Sequence, residues 1–275
     1  MPSTPDGWGA EVSLPTLAAV YSGNTRAVLE RGFRAIVAQN WMVLASGFFE
    51  PVFYLLAMGL GLGSLINVVE GPGGTEVSYA AYLAPALLAT SAMNGAIYDS
   101  TWNVFFKLRF SRLYEAMMQT SLGPLDVALG EIALALLRGF IYAVGFLVVI
   151  TGMGLVTSWW AVLMIPAAVL VAAGFASVGM AVTSFMKTFQ HMDVISVVLM
   201  PMFLFSATLY PIAIYPTAMQ WMIMALPLWH GVELMRQLGV GYFDASTWVH
   251  ASYFVTMTAF GLWLTTLRLR ALFLR

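Results

Sequence analysis

The chain has 275 residues, 60% of them hydrophobic and only 9% charged, with a mean hydropathy of +0.84. A water-soluble fold of that composition would lack polar surface, so lipid is the expected solvent. The net charge of −1 comes with no dense basic stretch, which gives no nucleic-acid partner, and the absence of cysteine excludes disulfides, thiol catalysis and Cys-based metal sites.

Residues 1–22 are Pro-, Gly- and Ser-containing and read as a flexible N-terminal lead; Asp6 and Glu11 stand where a signal peptide would carry a basic start. Residues 23–40 are expected to form an amphipathic helix on the cytoplasmic membrane surface. Asn24 is the candidate N-cap, Leu29, Phe33, Ile36 and Val37 recur at helical spacing, and Arg26, Glu30, Arg31 and Arg34 fall on other faces.

Residues 41–275 read as a transmembrane domain. Apolar stretches run over 41–66, 79–101, 125–151, 159–186, 194–210 and 248–268, against a requirement of about 20 residues per spanning helix. Trp41, Trp159, Trp160 and Trp248 sit at expected membrane boundaries. All lysines and arginines except Arg138 and Arg236 fall in four patches: Arg26, Arg31 and Arg34; Lys107, Arg109 and Arg112; Lys187; and Arg268, Arg270 and Arg275. Short cytoplasmic loops retain basic residues, so all four patches and both termini are expected inside. The loops around Glu70 to Glu76 and Gly152 to Ser158 have turn chemistry and no basic residue, as expected outside. The fold class is therefore an all-α polytopic membrane protein with six transmembrane helices.

Residues 211–235 are apolar but broken by Pro211, Pro216 and Pro227. A full crossing there would put the C-terminal arginines outside, and the stretch between Pro216 and Pro227 reaches only about 15 Å as a helix. A re-entrant pair of short helices between spans five and six satisfies both constraints, and such broken backbone survives at membrane depth only against protein or a cavity.

Charges inside membranes are costly and mark candidate sites. Those here are Glu50, Asp99, Glu131 and Arg138. Glu50 lies about 14 Å into the first span and Arg138 about 20 Å into the third, counted from the same side, so the two are expected to pair. Pro51 loosens the helix beside Glu50, and Gly59 and Gly63 permit close helix approach. The lysines, Lys107 after Phe106 and Lys187 after Met186, do not follow a glycine-rich phosphate loop, so the chain holds no ATP site of that type. Ser206 lacks the nucleophile-turn context, and His191, His230 and His250 are too scattered for a metal site to be read.

Three blocks resemble the ABC-2 type permeases, in particular their nodulation-type lipo-oligosaccharide and drug-exporter branch: Glu50-Pro51 with Tyr54 to Gly63; Tyr82 to Pro85 continuing through Ala92-Met93, Tyr114 to Met117, Pro124, Asp126, Gly130-Glu131 and Arg138-Gly139; and Pro201 to Ser206 with Tyr210-Pro211, Pro216, Pro227, His230, Arg236 and Gly239. The chain departs from the family pattern at Ala207, where glycine is usual, at Tyr210, where phenylalanine is usual, and at Asp99, where the acidic residue is often glutamate. The resemblance implies a permease half of an exporter in the bacterial cytoplasmic (inner) membrane, paired with a second permease, identical or related. It implies no catalytic or metal site and no cofactor in this chain, with ATP and Mg held by a separate cytoplasmic ABC ATPase. The coupling residues it implies are Arg31, Arg34, Lys107, Arg109, Arg112, Tyr114, Glu115 and Met118, with Tyr114, Met117 and Met118 docking on the ATPase. The outer gate would comprise Ser206, Tyr210, Pro211, Pro216, Pro227 and His230. The cargo would be a hydrophobic or amphipathic drug, lipid or lipid-linked glycan. The rival readings are a secondary transporter or channel, which has no internal repeat here to support it, and a membrane anchor, which leaves no chemical signature.

Overall fold

The computed structural model describes residues 21–37, 41–66 and 68–273; most of the expected N-terminal lead lies outside the described residues. Helix α1 (Thr25–Val37) packs on α5 (Pro124–Gly152) through small residues. A Cβ on Gly130 would fall 2.5 Å from Val28 Cγ1, and one on Gly32 would overlap the Leu134 side chain. The buried stripe is thus Val28 and Gly32, while Phe33, expected on the apolar face, is 52% exposed. Glycine lets the two backbones approach more closely than a row of large apolar side chains would.

Asn24 occupies the N-cap position, but its side chain reaches Ser121. Asp126, fully buried in the first turn of α5, does the capping instead. It accepts from Ser22 N at 2.7 Å, Asn24 N at 3.0 Å, Thr25 Oγ1 at 3.0 Å and its own Gly123 N at 3.0 Å. One carboxylate thereby satisfies donors at the starts of two helices and favours the positive end of both.

Helix α2 (Trp41–Gly61) contains Pro51 and runs into a 3₁₀ turn, Leu62–Ser64. The loop that follows, expected as turns, is a β-hairpin: β1 (Val68–Glu70) pairs antiparallel with β2 (Glu76–Ser78), Val69 opposite Val77. Gly73 at its tip has φ +69°, and a Cβ there would strike the Tyr242 ring at 2.7 Å, so only glycine fits.

Helix α3 (Tyr79–Phe110) is longer than the expected 79–101 stretch. Ser78 caps it, accepting from Ala81 N at 3.3 Å, and beyond Tyr98 it continues through two π-helical turns, Asp99–Asn103 and Phe106–Phe110. Lys107 and Arg109 therefore lie on its last turns rather than in a loop. Arg112, at φ +47°, turns the chain into the short α4 (Leu113–Met118). After α5 come α6 (Trp159–Phe185), α7 (His191–Phe205), α8 (Thr217–Met224), α9 (Pro227–Val240) and α10 (Ala245–Phe273). The proline-broken stretch is accordingly a 3₁₀ turn, Ile212–Ile214, then α8, then α9, which runs past 235 and buries Leu228, Val232 and Met235.

Among the described residues, α3, α5 and α6 are long and apolar enough to cross a membrane, and α7 is a shorter apolar helix. Helix α6 forms the centre, touching α3, α5, α9 and α10. Its Ala167, Ala168, Ala172, Gly174, Ala176 and Gly179 keep neighbouring backbones close. A Cβ on Gly261 of α10 would lie 2.6 Å from the Ser177 carbonyl carbon, and Thr265 Oγ1 donates to Ser177 O at 3.3 Å. Helix α7, by contrast, buries only Met192 and Met202.

Candidate functional site

A cavity of about 650 Å³ opens between α2, α3, α5 and α7. Pro51 and Tyr54 of α2, Leu87 and Ile97 of α3, and Leu199 and Phe203 of α7 supply apolar wall; Glu50, Ser91, Asn94, Arg138 and Tyr142 supply polar groups. This mixture suits an amphipathic ligand.

Arg138, on the polar side of the cavity, is held by the first π turn of α3. Ser100 O, displaced from the regular helix ladder, accepts from Thr183 Oγ1 of α6 at 3.1 Å, and α6 comes this near because Gly179 faces Ser100, where a Cβ would fall 2.2 Å from Ser100 Oγ. The extra residue of the π turn swings Asp99 towards α5. There Arg138 Nη1 donates to Asp99 Oδ1 at 2.8 Å, and Asn103 Nδ2 donates to the same oxygen at 2.7 Å. The Asp99 and Arg138 side chains are only 10% and 9% exposed. The partner found for Arg138 is thus on α3, and Glu50, expected as that partner, lines the same cavity as Arg138. A second pair lies nearer the end of α3, where Lys107 Nζ donates to Glu131 Oε2 at 2.5 Å.

Of the expected coupling residues, Arg31, Arg34, Arg109, Arg112 and Glu115 are exposed and Lys107 and Met118 are half-buried. Arg109 also gives hydrogen bonds of 3.1 and 2.7 Å to Met186 O at the end of α6. Tyr114 and Met117, both expected to meet a partner, are buried, so neither offers a docking contact. The Tyr114 Oη lies near the buried Glu131 carboxylate without forming a hydrogen bond of good geometry. Burial, and then the negative charge of Glu131, push the Tyr114 phenol well above its ordinary pKa, so it stays neutral. Buried Tyr114 anchors α4 and leaves Arg112 and Glu115 exposed beside it.

At the opposite end, α7 stops at Ser206, whose Oγ donates to Met202 O at 2.5 Å, and Ala207 follows at φ +54°. Left-handed backbone is the conformation glycine adopts most freely, which fits the glycine that the resemblance leads one to expect here. The break is held by Arg236 of α9, 2% exposed, whose Nη2 donates to Ala207 O at 2.8 Å and Thr208 O at 3.0 Å. The guanidinium also lies over the Tyr82 ring and pairs with Glu233 at 3.1 Å. Tyr79 Oη donates to Leu209 O at 3.3 Å. Ser206 is buried beside this knot, Pro211 and Pro227 are half-buried, and Tyr210 and Pro216 are exposed. Arg236 was identifiable in the sequence as one of two arginines outside the basic patches.

His230 is joined to a residue that spacing alone did not suggest: its Nδ1 lies 2.8 Å from His250 Nδ1, and its ring stacks on Tyr253 at 4.2 Å. The described residues contain no group of three or more His, Cys, Asp or Glu able to hold a metal ion.

The model of the family described as ABC-2 type transporter matches residues 23–239. The chain is 31% identical over 229 residues to nodulation protein J of Rhizobium leguminosarum bv. viciae, covering 82% of this chain and 86% of that protein. It is 31% identical over 194 residues to nodulation protein J of Rhizobium meliloti (strain 1021), covering 70% and 72%, and 30% identical over 227 residues to that of Neorhizobium galegae, covering 80% and 82%. The proline-broken α7 to α9 knot, the paired charges on α3 and α5 and this similarity over most of the sequence agree: the chain is a membrane protein and belongs to the ABC-2 type transporter family.

Proposed function

We propose that the chain is the permease subunit of an ATP-driven exporter that moves a hydrophobic or amphipathic substrate across the bacterial inner membrane. The observation that carries this reading is the amphipathic cavity of about 650 Å³ between α2, α3, α5 and α7. In this reading α2, α3, α5, α6, α7 and α10 are the six spans, α8 and α9 form the re-entrant outer element, and both termini are cytoplasmic. Helix α1 lies at the inner membrane surface, with exposed Phe33 towards lipid. Two permeases, identical or related, would enclose the path, each resting on a cytoplasmic ABC ATPase that binds ATP and Mg.

Coupling would run through α4. Arg112 and Glu115 would meet the ATPase, and buried Tyr114 would pass displacement of α4 to Glu131 on α5 and, through Lys107, to α3. Opening at the far end would loosen the knot that Arg236 ties between α9, α3 and the end of α7.

The test is gentle solubilisation of the tagged chain from native membranes, with mass spectrometry of what co-purifies and the mass of the complex. An ATP-binding subunit in equal amount supports the reading, and a second permease species distinguishes heteromer from homodimer. Recovery of the chain alone, under conditions that preserve an ABC complex of known composition, would sink it.

A further inference from the structure

The cavity carries an uneven charge. Glu50 is exposed and lines it, with no ion-pair partner among the described residues. The cation that lines the same cavity, Arg138, is hydrogen-bonded to the Asp99 carboxylate. Two carboxylates therefore stand against one guanidinium, which leaves a net negative charge in a space walled largely by apolar side chains. At membrane depth such a charge is costly in isolation and draws an opposite charge strongly.

The walls favour the same ligand. Tyr98 and Trp102 stack at 6.2 Å with planes 23° apart on one side, and Tyr54 meets Phe203 edge-on at 6.0 Å on another. Tyrosine and tryptophan faces attract cations as well as apolar bodies. An anionic amphiphile would meet the surplus negative charge, and a neutral polyol would leave Glu50 uncompensated.

We propose that this cavity binds amphipathic organic cations, with the Glu50 carboxylate as counter-charge and the rings of Tyr54, Tyr98 and Trp102 as the surrounding wall. The physiological meaning rests on the permease reading above; the binding itself does not. A bound cation of this kind would neutralise the cavity, so loading and charge compensation occur in one step.

The test uses the full chain in lipid nanodiscs with two probes of nearly equal shape and opposite charge, tetraphenylphosphonium and tetraphenylborate, measured by equilibrium dialysis and corrected with empty nanodiscs. Wild type is expected to bind the phosphonium saturably. Glu50→Gln is expected to lose tenfold or more of that affinity and with it the preference for phosphonium over borate, and Glu50→Asp to retain most of both. Phosphonium affinity within twofold of wild type in a Glu50→Gln chain that keeps its unfolding temperature would overturn the proposal. Should Glu50→Gln fail to fold, wild type alone decides: saturable phosphonium binding in preference to borate upholds the proposal, and its absence overturns it. No ATPase is needed, so this outcome and the co-purification result fail independently.

Discussion

The Arg236 guanidinium carbon sits 3.7 Å from the centroid of the Tyr82 ring, and the same group donates to the Ala207 and Thr208 carbonyls. One side chain of α9 thus fastens α3 to the broken end of α7. Lysine cannot reproduce this, because it lacks both the planar fork and its set of fixed donors. Arg236→Lys should lower stability by roughly 2–4 kcal/mol, the cost of buried acceptors left without a donor. Tyr82→Phe keeps the aromatic face and should cost less than Tyr82→Leu. Thermal unfolding in detergent checks the order; equal losses for the two Tyr82 variants would remove the cation–π part of the account.

The Asp99–Arg138 pair makes a second prediction. Removing one member of a buried pair strands the other charge, at a cost of about 3–5 kcal/mol, whereas removing both together costs much less. Asp99→Asn and Arg138→Gln should each reduce folded yield sharply, and the double variant should recover part of it. A double variant whose loss equals the sum of the two singles would mean the residues act independently.

Some of this was legible in the sequence and some was not, for physical reasons. The long apolar helices were readable because length and hydropathy are local signals: the 125–151 and 159–186 stretches closely match α5 and α6. Depth estimates put Glu50 and Arg138 at comparable heights, but height says nothing of which way a helix face turns. The turn of Asp99 towards Arg138 depends on a π turn held by Thr183, 83 residues away from Ser100. The capping of α1 by Asp126 is equally non-local, 102 residues from Asn24. The hairpin strands are three residues each, too short for alternation to register. Tyr114 was expected as a contact residue from the resemblance alone; in a helix of six residues one face is buried, and which one depends on what it packs against rather than on local sequence.

The left-handed backbone at Ala207 gives a third prediction. Ala207→Gly relieves strain of about 1–2 kcal/mol but gives up a buried methyl and adds freedom to the unfolded chain, so its stability should stay within about 1 kcal/mol of wild type. Ala207→Val adds a β-branched side chain at φ +54° in a fully packed position and should cost more than about 2 kcal/mol. Unfolding temperatures of the two variants decide; a valine variant as stable as wild type would show that this backbone relaxes easily.

The burial of Tyr114 separates two roles within α4. Tyr114→Ala empties a fully buried aromatic site and should destabilise the subunit by about 3–5 kcal/mol, so loss of activity in that variant says little about docking. Glu115 is exposed, and Glu115→Arg should leave stability within about 0.5 kcal/mol of wild type. On the permease reading, that same charge reversal should lower substrate-stimulated ATP hydrolysis several-fold in the assembled complex, because the reversed charge faces the ATPase. Tyr114→Phe removes only the hydroxyl beside Glu131 and should keep the fold while weakening coupling. A Glu115→Arg complex with unaltered stimulation would remove α4 from the coupling path, and an uncoupled Tyr114→Phe with normal ATPase binding would place the transmitting contact inside the permease rather than at its surface.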